Sequence, residues 1–224
     1  MTEVAGLAGL GDYYFFDLDG CVYFSDRPAP GAAGLLRELR EAGRCVAFLT
    51  NNSTHSGVEV AERLRGMGLA ADGGEVLTAA DLIGLHLLNR YGASTVKVIG
   101  SRSLQSAMGR CGHTVLDLHS ADGADFVVLG RDVEFSYERI MAGLEALEKG
   151  ARAIAANPDL WHPGPGGRRI PETGAFALLL EAVSGRKFEA FGKPDPAMFR
   201  LAMERVGADR PERCVMIGDN LHTD

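Results

Sequence analysis

Tyr13-Tyr14-Phe15-Phe16-Asp17-Leu18-Asp19-Gly20 is a short apolar run that ends in two carboxylates and a glycine. A continuous apolar run marks a parallel strand covered on both faces, where a half-exposed strand would alternate. Gly20 lets the chain turn sharply as the run ends. Two other runs close in the same manner. Cys45-Val46-Ala47-Phe48-Leu49 leads into Thr50-Asn51-Asn52-Ser53, and Cys214-Val215-Met216-Ile217 leads into Gly218-Asp219. Helical patterns stand between them: Leu35, Leu36 and Leu39 share one face of a stretch near 32–42, and a second helix is predicted near 58–67. This alternation predicts an α/β fold with a doubly wound, Rossmann-like parallel sheet. Such sheets bind ligands beyond the carboxyl ends of their strands, so the polar residues closing these runs are expected to converge.

A second set of strand and helix patterns lies before Gly192-Lys193. Its strands are read at 96–99, 126–129 and 153–155, and its helices near 103–110, 137–148 and 175–184. The set is predicted to form an inserted α/β domain over 78–186, leaving 1–77 and 187–224 as the core. Pro163-Gly164-Pro165-Gly166-Gly167 is the densest loop signal in the chain.

Composition narrows the function classes. The 224 residues are 46% apolar and 24% charged, as in an ordinary globular protein with a sizeable core. A formal charge of −7 without a basic stripe excludes a nucleic-acid backbone as the expected partner. Cys21, Cys45, Cys111 and Cys214 lack the close paired spacing of a zinc site and are expected to be buried free thiols in a reducing compartment. Glu3 near the start argues against a signal or transit peptide, and no apolar run approaches a membrane span. A cytoplasmic protein is expected.

The polar residues at the strand ends have chemistry in common. Paired carboxylates such as Asp17 and Asp19 can divide attack on phosphorus from proton transfer. The same Asp-x-Asp-Gly also describes a solvated turn. Asp219 and Asp224 are oxygen donors of the kind magnesium takes, or an acidic turn. Lys193 precedes Pro194-Asp195-Pro196, where Asp195 reads as a helix cap with Pro196 at the first helical position. A lysine so placed can neutralise a transferring phosphoryl group, although an isolated lysine more often lies along the surface. Thr50 and the backbone amide of Asn51 are suited to phosphate oxygens, or simply to capping the next helix.

Taken together, Asp-x-Asp-Gly, Thr-Asn-Asn, Gly-Lys-Pro and Gly-Asp-x-x-x-x-Asp, in this order, resemble the haloacid dehalogenase superfamily. The chain is most similar to its branch of nitrophenylphosphatases, phosphoglycolate phosphatases, pyridoxal phosphatases and ribonucleotide monophosphatases, which carries a large α/β cap between the second and third motifs. Asn157-Pro158-Asp159 and Gly185-Arg186-Lys187 match further stretches of that branch. The resemblance implies a magnesium-dependent phosphatase for small phosphorylated metabolites, with an aspartyl-phosphate formed on Asp17. Asp17 would be nucleophile and metal ligand, and Asp19 general acid and base with its backbone carbonyl on the metal. Thr50, Asn51 and Asn52 would bind phosphoryl oxygens, Lys193 would steady their charge, and Asp219 and Asp224 would complete the metal site. A homodimer through the cap is among the arrangements it implies.

Two features depart from that pattern. The sequence stops at Asp224, where the family continues with a helix and at least one more strand, so either the sequence is shortened or the sheet is short. Pro171-Glu172-Thr173-Gly174 stands where relatives have small residues, which puts an anion near the expected substrate. Trp161, His162, Arg168, Arg169 and Glu172 form the expected specificity loop of the insertion, with a solvated surface loop as the alternative. Three other functions compete. A dehalogenase would not need Asp19, a receiver-like phosphoacceptor would be half as long, and a catalytically dead binding protein would not need every motif intact.

Overall fold

The structure, a computed structural model, describes residues 9–224. Glu3, on which the expectation of no targeting segment rests, lies outside the described residues. Contacts divide the chain into two compact units. One joins the stretch ending at Thr50 to Gly57–Leu77 and Phe199–Asp224, and the other joins Asn51–Ser56 to Thr78–Met198.

The first unit is built around β1 (Tyr13–Phe16), the apolar run that opens the motif. The run is followed by a two-strand ribbon, β2 (Tyr23–Phe24) with β3 (Arg27–Pro28), then α1 (Ala32–Glu41), β4 (Cys45–Thr50), α2 (Gly57–Gly66) and β5 (Val76–Thr78). Close to the chain's end comes β13 (Cys214–Ile217). These strands form a sheet in the order β13-β1-β4-β5, with β1 parallel to both β13 and β4. The register sets Phe16 beside Ile217 and Phe48, so Asp17 and Gly218 leave the sheet at the end where β4 runs on to Thr50. Tyr14, Phe16, Leu36, Leu39, Phe48 and Leu64 make the core. Phe48 is wholly buried, and truncating such a side chain to alanine costs about 3–5 kcal/mol.

The second unit has its own sheet and core. Its strands are β6 (Thr95–Ile99), β7 (Thr114–Leu116), β8 (Phe126–Leu129), β9 (Arg152–Ala155) and β12 (Glu189–Ala190). They lie in the order β12-β9-β8-β6-β7, every pair parallel. Its helices are α3 (Ala79–Tyr91), α4 (Arg102–Arg110), α5 (Tyr137–Glu148) and α6 (Thr173–Ser184). Thr78, Ser101 and Ser136 cap the first three, each side chain accepting from the N–H three residues on. Each such cap is worth about 1 kcal/mol. The glycine-rich stretch turns a hairpin between β10 (Trp161–Pro163) and β11 (Arg169–Pro171). The boundary between units falls within α7 (Pro196–Val206).

Among the described residues no helix is long and apolar enough to cross a membrane. All four cysteines are free, but partly rather than fully buried. Cys45 and Cys214 open their strands, where the sheet begins and solvent still reaches. Burial raises both thiols above their ordinary pKa, which disfavours the thiolate a cysteine nucleophile needs.

Candidate active site

In the first unit the strand ends carry a knot of carboxylates. Asp17 follows β1, and its N–H donates to the Ile217 carbonyl at 2.8 Å, which ties it to the end of β13. Asp17, Asp219 and Asp224 each bring an oxygen to within 4.8 Å of the others. Gly20 (φ 92°) sits against Asp219, and a Cβ there would overlap the Asp219 carboxylate. A side chain at position 20 would therefore displace the acid. Three hard oxygen donors with no sulfur or nitrogen among them fit magnesium better than zinc or copper.

Asp19 is turned elsewhere. The chain folds back after Leu18, whose carbonyl accepts from the N–H groups of Cys21, Val22 and Tyr23. This return brings the Tyr23 hydroxyl to Asp19, donating to Oδ2 at 2.8 Å. Tyr23 is 1% exposed, and its ring carries the Arg63 guanidinium 4.7 Å from the centroid. Burial first, then the Asp19 carboxylate, pushes the phenol far above its ordinary range. It therefore stays a donor at any ordinary pH. Thr50 closes β4 and is buried.

In the second unit Asn51 and Lys193 form a clasp. The Lys193 N–H donates to Asn51 Oδ1 at 2.6 Å, and Asn51 Nδ2 donates to the Lys193 carbonyl at 3.0 Å. The second Nδ2 hydrogen goes to Asp159 Oδ2 at 3.0 Å. Asn157 Nδ2 donates to the Asn51 carbonyl at 2.7 Å. Lys193 is 2% exposed, and Asp195 Oδ1 accepts from the Ala197 N–H, capping α7 as its sequence predicts. Gly192 (φ 84°) makes the approach possible, since a Cβ would meet Asn51 Oδ1 at 2.8 Å. Asn52 is used differently: its Oδ1 accepts from the N–H groups of Thr54 and His55, which shapes the turn into α2.

The expected specificity residues gather on the β10–β11 hairpin. Trp161 is 46% exposed, with the Arg169 guanidinium 4.7 Å above its ring. Arg168 is exposed at the turn. Glu172 is not a bare anion. His162 Nδ1 lies 2.7 Å and Arg131 Nη1 3.2 Å from its Oε1, so its charge is met within the unit. Sequence reading missed Tyr23, Arg63 and Arg131. Only the tight Asp-Gly return hinted at the first of these, by bringing residues 19 and 23 together.

The family model described as haloacid dehalogenase-like hydrolase matches residues 14–114, and one described as HAD-hydrolase-like matches 190–224. Dihydroxyacetone phosphatase of Corynebacterium glutamicum is 33% identical over 211 residues, covering 94% of this chain and 74% of that protein. The 4-nitrophenylphosphatase of Thermotoga maritima superposes with a TM-score of 0.89 at 32% identity, over 97% of this chain and 82% of that one. The glycerol phosphate phosphatase of Mycobacterium tuberculosis, solved with magnesium and with calcium, gives 0.89 at 29% identity, over 97% of this chain. The magnesium complex is matched over 64% of its own length.

Proposed function

The chain belongs to the haloacid dehalogenase-like hydrolases and is a phosphatase of that family; from this premise we propose that it hydrolyses small phosphate monoesters with Asp17 as nucleophile and magnesium as its metal. The observation that carries the reading is the meeting of Asp17, Asp219 and Asp224 at one end of a parallel sheet. Like charges crowded together are unfavourable without a cation, and oxygen donors of this kind select a hard one.

In the proposed reaction an Asp17 carboxylate oxygen attacks phosphorus while the ester oxygen leaves. The leaving oxygen takes its proton from Asp19, and an aspartyl-phosphate remains. Asp19, now a carboxylate, takes a proton from water as that water attacks phosphorus. The bond to Asp17 breaks, inorganic phosphate departs, and both acids return to their starting forms. Thr50 and the Asn51 N–H would bind phosphoryl oxygens, with Asn52 in the same motif, and Lys193 would supply fixed positive charge. Asp17, Asp219, Asp224 and the Asp19 backbone carbonyl would hold magnesium, which when bound offsets the negative charge on the phosphoryl oxygens.

Residues 78–186 are read as a cap whose hairpin meets the leaving group, with Trp161 as a flat apolar surface and Arg168 as a cation. A core that grips only phosphate cannot tell one ester from another. The test is turnover across a panel of phosphorylated metabolites, with magnesium and with excess chelator. Magnesium-dependent release of phosphate from small monoesters is expected, with calcium a poor substitute; full activity in chelator contradicts the metal reading. Trp161→Ala on the same panel should reorder substrate preference, and an unchanged order removes the hairpin from the account.

A further inference from the structure

Asn157-Pro158-Asp159 is a motif that the reaction scheme leaves without work. Asn157 and Asp159 follow β9, and Gly192-Lys193 follows the neighbouring strand β12, since Glu189 and Ala190 pair with Ile154 and Ala155. Asn51 lies across both strand ends, 106 residues from Asn157 and 142 from Lys193 in sequence. Its side-chain amide bonds both main-chain groups of Lys193, as a neighbouring strand would. The amide cannot be flipped, because the Lys193 N–H only donates and its carbonyl only accepts.

Two further contacts hold this amide and its backbone. Asp159 accepts the remaining Nδ2 hydrogen, and Asn157, 1% exposed, donates to the Asn51 carbonyl. Asn157 Oδ1 also accepts from the Asp159 N–H at 3.1 Å, locking the two residues into one turn. All three donors and acceptors of the Asn51 side chain are satisfied with one geometry. A group so constrained cannot swing out to contact a ligand through its side chain.

We propose that Asn157 and Asp159 are positioning residues that act through Asn51 to fix the main chain of Lys193, and thereby the lysine's charge, for the phosphoryl group. This rests on the reading of Lys193 as part of the phosphoryl grip. At metal sites, groups that orient a ligating side chain change affinity or activity by roughly 10–100-fold when deleted, and an effect at the lower end of that range is expected here.

The test is a double-mutant cycle on the full chain with magnesium, read as the dissociation constant of orthovanadate, so that low turnover does not limit it. Asn157→Ala should weaken vanadate about 10-fold beside native Lys193 and less than about 3-fold beside Lys193→Ala, at unchanged far-UV circular dichroism. Equal weakening in both backgrounds, or none beside native Lys193, overturns the proposal. Should Asn157→Ala fail to fold, Asp159 decides. Asp159→Asn keeps an acceptor for Asn51 Nδ2 and should bind vanadate nearly as the native chain does, whereas Asp159→Ala should not; equal loss in both overturns it. Turnover of Asp17→Asn reports separately on the nucleophile, so failure of that reading and failure of this one give different results.

Discussion

Asp12 and Asp17 flank the same strand, and the chain treats the two acids in opposite ways. Ahead of β1, Arg213 Nε lies 2.6 Å from one Asp12 oxygen and Arg44 holds the other. These partners, Arg213 above all, hold the Asp12 carboxyl below its ordinary pKa. Beyond β1, Asp17 meets Asp219 and Asp224 within 4.8 Å. One end of the strand sets a carboxylate between two arginines; the other brings three carboxylates to one place. The first arrangement stabilises the fold. The second gathers hard oxygen donors of the kind a divalent cation takes, which is how a site differs from a staple.

Mutation at each end should therefore move different observables. Asp17→Asn should lower turnover by on the order of 10³-fold or more, since an amide is a poor nucleophile for phosphorus. In metal-free protein the same change should leave Tm unchanged or raise it, because it removes one of three crowded charges. Magnesium should raise the Tm of the native chain and do so far less for this variant. Retained turnover, or a large fall in metal-free Tm, would break the comparison.

Asp19, the proposed general acid, sharpens it, because the Tyr23 hydroxyl donates to its carboxylate. Asp19→Asn should reduce hydrolysis of alkyl phosphates by roughly 10²–10⁴-fold and of nitrophenyl phosphate by less, because nitrophenolate leaves without a proton. Phosphoenzyme should accumulate with the nitrophenyl ester, since water then lacks its base. Tyr23→Phe should reproduce that leaving-group split weakly, by several-fold, with KM little changed. Equal loss for both esters would mean that Asp19 acts only in holding the site together.

The smallest effect is expected at Asp12. Its folded pKa is depressed, so its stabilisation is present at neutral pH and is lost as pH falls through the folded value. Asp12→Asn should lower Tm slightly at pH 7, leave turnover unchanged, and differ least from the native chain in acid. A loss of turnover with an unchanged Tm would reverse the roles given to the two ends.

How much of this could be read in advance depends on how local the signal is. The apolar runs gave β1, β8 and β13 with the residues later found in them, because strands covered on both faces need continuous apolar side chains. Helix α3 passed unread: Ala79, Ala80, Leu82, Ile83, Gly84 and Leu87 are all buried, so its apolar residues do not form the single stripe that periodicity detects. Strand β12 is two residues, one of them glutamate, and exists only because β9 lies beside it. At the site, Asp17, Asp219 and Asp224 were legible because each follows a strand whose carboxyl end points one way. The Asn51 side chain was not, since its partners come from two segments more than 100 residues on and no spacing rule connects them.

The clasp on Lys193 also bears on how the protein ages in storage. Asparagine slowly loses its side-chain nitrogen and becomes aspartate, one of the common heat-induced lesions of proteins. At most surface positions that adds a harmless charge. At position 51 it would replace the donor facing the Lys193 carbonyl and Asp159 with an acceptor, turning two attractions into repulsions. One such event at this position would cost the hold on Lys193, where the same event on the surface costs nothing.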